Sequence, residues 1–189
     1  MSEIILVRHG QASFGADSYD KLSDKGVEQV KVLARHWQEV GEQFDHVYSG
    51  TLLRQRETAN ELLALVKGAP SASTENPSFN EYNGDPLMRV YLRDHAAQEG
   101  FDVPIAWPIK DERLFQRIFE AACAKWIRGE LTPSSEEANF EHWVDFQDRV
   151  HTAVDEIMAR HNEGARVLVS TSGGVIAMVL QRVLQFPDD

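Results

Sequence analysis

Three short apolar runs, each closing on a polar junction that opens a helix-period segment, constrain this chain more than any other feature. Ile4-Ile5-Leu6-Val7 is a continuous β-branched and leucine run, the pattern of a short strand buried on both faces. Ser23-Asp24-Lys25-Gly26 opens a predicted helix to about Val40. Its apolar face is Val27, Val30, Leu33, Ala34 and Trp37, and Gly41 ends it. Phe44–Ser49 predicts a second strand, and Leu52–Lys67 a second helix closed by Gly68. Arg166–Thr171 predicts a third strand, after which Gly173-Gly174 turns the chain into a last helix over Val175–Leu184. Strands alternating with helices in this way specify an α/β fold with a mostly parallel sheet and helices packed on it.

The middle of the chain has a different texture. Ser71–Asn83 reads as a polar loop with a short strand around Ser73. From Pro86 to about Glu130 the pattern is helical but interrupted, at Gly100 and at Pro104-Ile105-Ala106-Trp107-Pro108. Thr132-Pro133-Ser134-Ser135 is expected to be a linker that caps the next helix, which runs to about Asn162. Residues 86–130 are therefore read as an insertion over one end of the sheet, within a single domain spanning 1–189.

Charge narrows the range of partners. The chain has 189 residues with 19 basic and 30 acidic side chains, a net charge of −11. Acidic surface is a poor match for nucleic-acid phosphates and for anionic membranes, so neither is an expected partner. Cys123 is the one cysteine, so no internal disulfide forms. That usage fits a reducing compartment. Met1–Val7 has no basic n-region and no stretch approaches the ~18 apolar residues of a membrane helix, so a cytoplasmic protein is expected.

In parallel sheets, chemistry gathers where strands end and helices begin. The three junctions here are Arg8-His9-Gly10-Gln11, Ser49-Gly50-Thr51-Leu52-Leu53-Arg54 and Thr171-Ser172-Gly173-Gly174. Each alone is modest, since an Arg-His pair is as often a surface ion pair and Gly-Gly as often a tight turn. Together on one sheet edge, two guanidiniums and a glycine-flanked helix start make a site for an oxyanion. A histidine within it is then a nucleophile or an acid–base group. The other histidines (His36, His46, His95, His142, His151 and His161) show no metal-ligand spacing and are assigned to the surface. His161 stands near a helix end, where a cation suits the dipole. Phe115, Ile118, Phe119 and Ala122 form a helical packing stripe.

These segments resemble the histidine phosphatase superfamily, the phosphoglycerate-mutase-like proteins. Leu6-Val7-Arg8-His9-Gly10-Gln11-Ala12 is similar to its signature, and Tyr48–Ala59 to its second motif, with Arg54 and Thr58-Ala59 in register. Leu22-Ser23-Asp24-Lys25-Gly26 matches the opening of its first helix. Glu141-His142-Trp143 and Arg149 resemble the helix before its last motif. The resemblance implies a three-layer α/β/α fold with a helical cap and no metal or organic cofactor. It further implies that His9 attacks phosphorus, that Arg8 and Arg54 hold the phosphoryl oxygens, and that Glu81 serves as acid and then base. The implied substrate is a small phosphate monoester or a phosphorylated protein.

Departures from the family pattern qualify this expectation. Ser172 stands where the family has a second histidine, and Gly15 where it often has an asparagine. Ser13 is a conjectured replacement donor. A hydroxyl at Ser172 can still bind phosphate but brings no positive charge, so hydrolysis is expected to be weak or specialised. The glycine N–H groups of the third junction remain candidate donors. A catalytically impaired relative that binds a phosphorylated ligand or protein is the alternative, and a mutase is disfavoured. Family members usually continue into a further strand after the last helix. Where that strand is lacking, the open sheet edge would favour a homodimer.

Overall fold

A computed structural model describes residues 2–13, 20–161 and 164–187. Four parallel strands lie in the order β1-β4-β2-β3: β1 Glu3–Arg8, β2 His46–Ser49, β3 Thr74–Glu75 and β4 Arg166–Thr171. The first and last motifs of the sequence are thus neighbours, with Glu3 paired to Arg166 and Arg8 to Thr171. On the other side of β4, Ser49 pairs with Ser170. All three predicted junctions therefore emerge at the same carboxyl edge. The α/β class with a parallel sheet is as the alternation of elements predicts.

Both faces of the sheet are covered. Val47 and Leu168 are buried in a cluster with Val30, Ala34, Ala59 and Leu62 from α1 (Asp24–Val40) and α2 (Leu53–Leu65). Side chains alternate across a strand, so Val167 and Val169, which are also fully buried, face the opposite way. The edge strand β1 is only half-buried along its apolar run. Ser23 caps α1 by accepting from the Gly26 N–H, and Gly41, at φ +75°, ends it in the left-handed conformation, as expected. α2 stops earlier than predicted, at Leu65, because Val66 turns extended before Gly68 is reached. Conversely, the last helix begins earlier: Gly173 and Gly174 are its first residues, not a turn ahead of it.

The chain divides into two compact units, one of residues 1–81 and 149–184 and the other of 82–148 and 185–189. The second holds α3 (Gly84–Asp94) and α4 (Glu112–Ile127) and an aromatic cluster of Tyr82, Trp126, Trp143 and Phe146. Ile118 and Ala122 of the predicted stripe are fully buried, but Phe115 is 36 % exposed. The linker serine does cap, but not the long helix. Ser134 forms a capping box with Glu137 on a single 3-10 turn, and Glu137 is clamped by Arg93 through both carboxylate oxygens. α5 starts later, at Trp143, and runs to Arg160. The sixth helix, α6, is Gly173–Leu184. Among the described residues, no helix is long and apolar enough to cross a membrane.

Candidate active site

The first junction is bolted to the start of α1 by backbone contact. A Cβ placed on Gly10 would lie 2.5 Å from the Gly26 carbonyl oxygen, and one on Gly26 would lie 2.2 Å from that of Gln11. Only glycine at both positions allows this approach. The Ser23 N–H and hydroxyl both donate to the Gln11 carbonyl, which ties the helix cap to the same loop. The His9 N–H donates to Thr171 O at 2.9 Å, extending the β1–β4 ladder by one residue.

His9 is held in one orientation. Its Nδ1 lies 2.7 Å from Gly10 O, a carbonyl that can only accept, so Nδ1 carries the proton. Nε2 is then the bare nitrogen, and it accepts from Arg54 Nε at 3.1 Å. Burial lowers the pKa of His9 below the ordinary 6.5, and the guanidiniums of Arg54 and Arg8 lower it further. The Gly10 carbonyl and Asp20 pull the other way. The group is neutral at neutral pH, with its lone pair directed toward cationic side chains.

Arg54 comes from the first turn of α2 and is largely buried, its side chain 12 % exposed. Its Nη1 pairs with Asp20 Oδ1 at 2.5 Å, while Asp20 Oδ2 accepts from the Leu53 N–H at 2.8 Å. Leu52 offers no side-chain cap to α2, so Asp20 supplies from elsewhere in the chain the anion that the helix start lacks. Sequence reasoning missed Asp20. Its one signal is its place two residues ahead of the Leu22-Ser23-Asp24-Lys25-Gly26 segment.

At the third junction the Gly173 Cβ position lies 3.9 Å from Arg8 Nε, which sets that guanidinium against the N-terminal turn of α6. The Gly174 N–H donates to Glu81 Oε2 at 3.0 Å, so this candidate phosphate donor is already engaged. Ser172 is fully buried, and its Oγ accepts from Gln55 Nε2 at 2.8 Å. The structure thus joins His9 with Arg54, Arg8 with Gly173, Glu81 with Gly174, and Ser172 with Gln55. A cleft of about 480 Å³ opens over Arg8, His9 and Gln11 and is rimmed by Lys25 and Gln29 of α1. Lys25, which sequence reasoning left unassigned, adds a cation there. Gly15 lies outside the described residues.

Among the described residues, no group of three His, Cys, Asp or Glu side chains is placed to hold a metal. His161 differs from its expected role. It stacks on His46 at 3.7 Å, and its Nε2 meets the Tyr48 hydroxyl at 2.9 Å. Burial, then His46 and Arg160, lower its pKa, so it is not the helix-end cation expected.

Comparison with known proteins identifies the family. The model of the histidine phosphatase superfamily (branch 1) matches residues 4–104 and 105–189. The chain belongs to that superfamily. A 2,3-bisphosphoglycerate-dependent phosphoglycerate mutase of Lactobacillus acidophilus is 35 % identical over 212 aligned positions, covering 100 % of this chain and 86 % of the relative. A metal-independent phosphoserine phosphatase of Arabidopsis thaliana is 25 % identical, covering 98 % and 70 %. Among solved structures, Bacillus stearothermophilus YhfR superposes with a TM-score of 0.67 at 21 % identity, covering 100 % of this chain and 83 % of the other.

Proposed function

We propose that this protein hydrolyses a phosphate monoester through a phosphohistidine on His9. The observation that carries the reading is the His9 tautomer, with Nδ1–H locked on Gly10 O and the bare Nε2 facing Arg54. Arriving phosphate takes the Arg54 hydrogen bond from Nε2 and frees the lone pair. Nε2 then attacks phosphorus, the P–O bond to the leaving group breaks, and Glu81 gives its proton to the departing oxygen. Arg8 and Arg54 hold the non-bridging oxygens as charge builds. Water next attacks the phosphohistidine, Glu81 takes the water's proton, and the P–N bond breaks to restore Nε2.

The family resemblance puts Ser172 at the position of a second histidine, and here its neutral hydroxyl is fully buried against Gln55, so no charged donor comes from that position. The charge missing there makes turnover weak or restricted to particular substrates. One observation favours a second reading, a protein that binds a phosphorylated ligand without turnover: the Ser172 oxygen is already engaged by Gln55.

A panel of small phosphate monoesters assayed with wild type and His9→Ala separates the two. Hydrolysis by wild type that disappears in His9→Ala, with an acid-labile phosphoenzyme on His9, is expected. Equal and negligible rates for both proteins on every ester would overturn catalysis and leave the binding reading.

A further inference from the structure

Glu81 follows a single 3-10 turn, Pro77–Phe79, capped by Asn76, and the three carbonyls before Glu81 are all held from outside that turn. Arg149 of α5 donates from Nη1 to Ser78 O at 2.8 Å and to Asn80 O at 2.9 Å. Between them, Phe79 O accepts from Thr171 Oγ1 at 2.6 Å and from Gln55 Nε2 at 3.0 Å. The Asn80 side chain is pinned to Thr51, accepting from its N–H at 2.6 Å and donating to its hydroxyl at 2.7 Å. Phe79 is fully buried beneath this turn.

We propose that Arg149 is a positioning residue for the reaction: by gathering the Ser78 and Asn80 carbonyls onto one guanidinium nitrogen, it sets where Glu81 meets the first turn of α6. The proposal rests on the phosphatase reading above, in which Glu81 moves the proton. Two carbonyls two residues apart converge only when the intervening backbone folds into one tight turn, so the direction in which Glu81 leaves that turn is set. A cationic donor does this more strongly than a neutral one. Its removal strands two carbonyls in a half-buried setting and lets the carboxylate drift. Misplacement of a reacting group by about 1 Å costs rate on the order of 100-fold.

Leaving-group dependence isolates this role. An alkoxide leaving group needs the Glu81 proton, whereas a nitrophenolate departs without it. Wild type, Arg149→Met, Arg149→Lys and Glu81→Gln are assayed on an alkyl phosphate and on 4-nitrophenyl phosphate, with His9→Ala as background. Arg149→Met should lose at least about tenfold more kcat/KM, which reports only the step that forms the phosphohistidine, on the alkyl ester than on the nitrophenyl ester, parallel to Glu81→Gln. Arg149→Lys, which keeps the charge, should fall between, and it carries the test if the methionine variant does not fold. Equal losses on both esters in the arginine variants, with Glu81→Gln still discriminating, would overturn the positioning role. Wild-type rates no higher than those of His9→Ala would instead overturn the phosphatase reading beneath it.

Discussion

Gln55 donates an amide hydrogen to the hydroxyl oxygen of Ser172 across 2.8 Å, and neither side chain has any exposed surface. The third junction is therefore a closed, neutral pair. Gln55 Oε1 faces Gly50, where a Cβ would lie 1.9 Å away. No spare volume lies on that side.

Placing a histidine at the third junction consequently takes two changes. Ser172→His alone overpacks the site and should cost about 1–3 kcal/mol of stability. Gln55→Ala removes as many heavy atoms as that substitution adds, so the double variant should recover most of the loss. It should also turn over phosphate esters at least about tenfold faster than wild type, since a charged donor then faces the phosphoryl group. Chemical denaturation and steady-state rates of the three variants check both halves. A double variant no more stable than Ser172→His would refute the volume argument.

Asp20 competes with any anion for Arg54. Asp20→Asn keeps an oxygen for the Leu53 N–H but removes the charge. Inorganic phosphate or vanadate should then bind about fivefold tighter, equivalent to ~1 kcal/mol for a partly exposed ion pair. Product-inhibition constants for wild type and Asp20→Asn give the comparison, and unchanged constants would mean that Asp20 exerts no hold on the anion site.

His9 makes stability depend on pH in a defined direction. Its folded pKa lies below 6.5, so between that lower value and 6.5 the unfolded chain binds more protons than the folded one. Stability contributed by neutral His9 is complete above 6.5 and is lost as pH falls through this window. Denaturation at pH 5 and at pH 7.5 should show a larger acid penalty for wild type than for His9→Asn. Identical penalties would place His9 at an unshifted pKa.

Gly26 meets backbone, which cannot swing aside as a side chain can. Gly26→Ala sets a methyl group 2.2 Å from the Gln11 carbonyl oxygen and should cost about 2–3 kcal/mol while displacing the His9 loop. Gly84→Ala, where a Cβ meets nothing within 4 Å, is the control and should change stability little. Thermal melts of the two variants side by side decide the point.

The readability of this chain followed the range of its interactions. β4 and α1 were legible because continuous apolar runs and a Ser23–Gly41 pair of caps are local signals. The start of α5 was not, because Ser134 and Glu137 satisfy a capping box on a turn that goes no further. Arg93, far away in the chain, holds Glu137 in that turn. The same division runs through the site. His9, Arg8 and Arg54 stand at strand ends, where junction chemistry is expected. Asp20, Gln55 and Arg149 matter through partners from 24 to 117 positions distant, a relation that no spacing rule encodes. His161 was misread for a similar reason, since its stacking on His46 joins β2 to the end of α5.

The pairing of β1 with β4 joins Glu3–Arg8 to Arg166–Thr171, segments far apart in the chain. Closing so long a loop is entropically costly and slow relative to forming local helices. His9 acquires its ladder contact with Thr171 only when this long-range pairing forms. The proposed anion site should therefore report a late stage of folding: helical signal should return first, and phosphate binding should lag behind it.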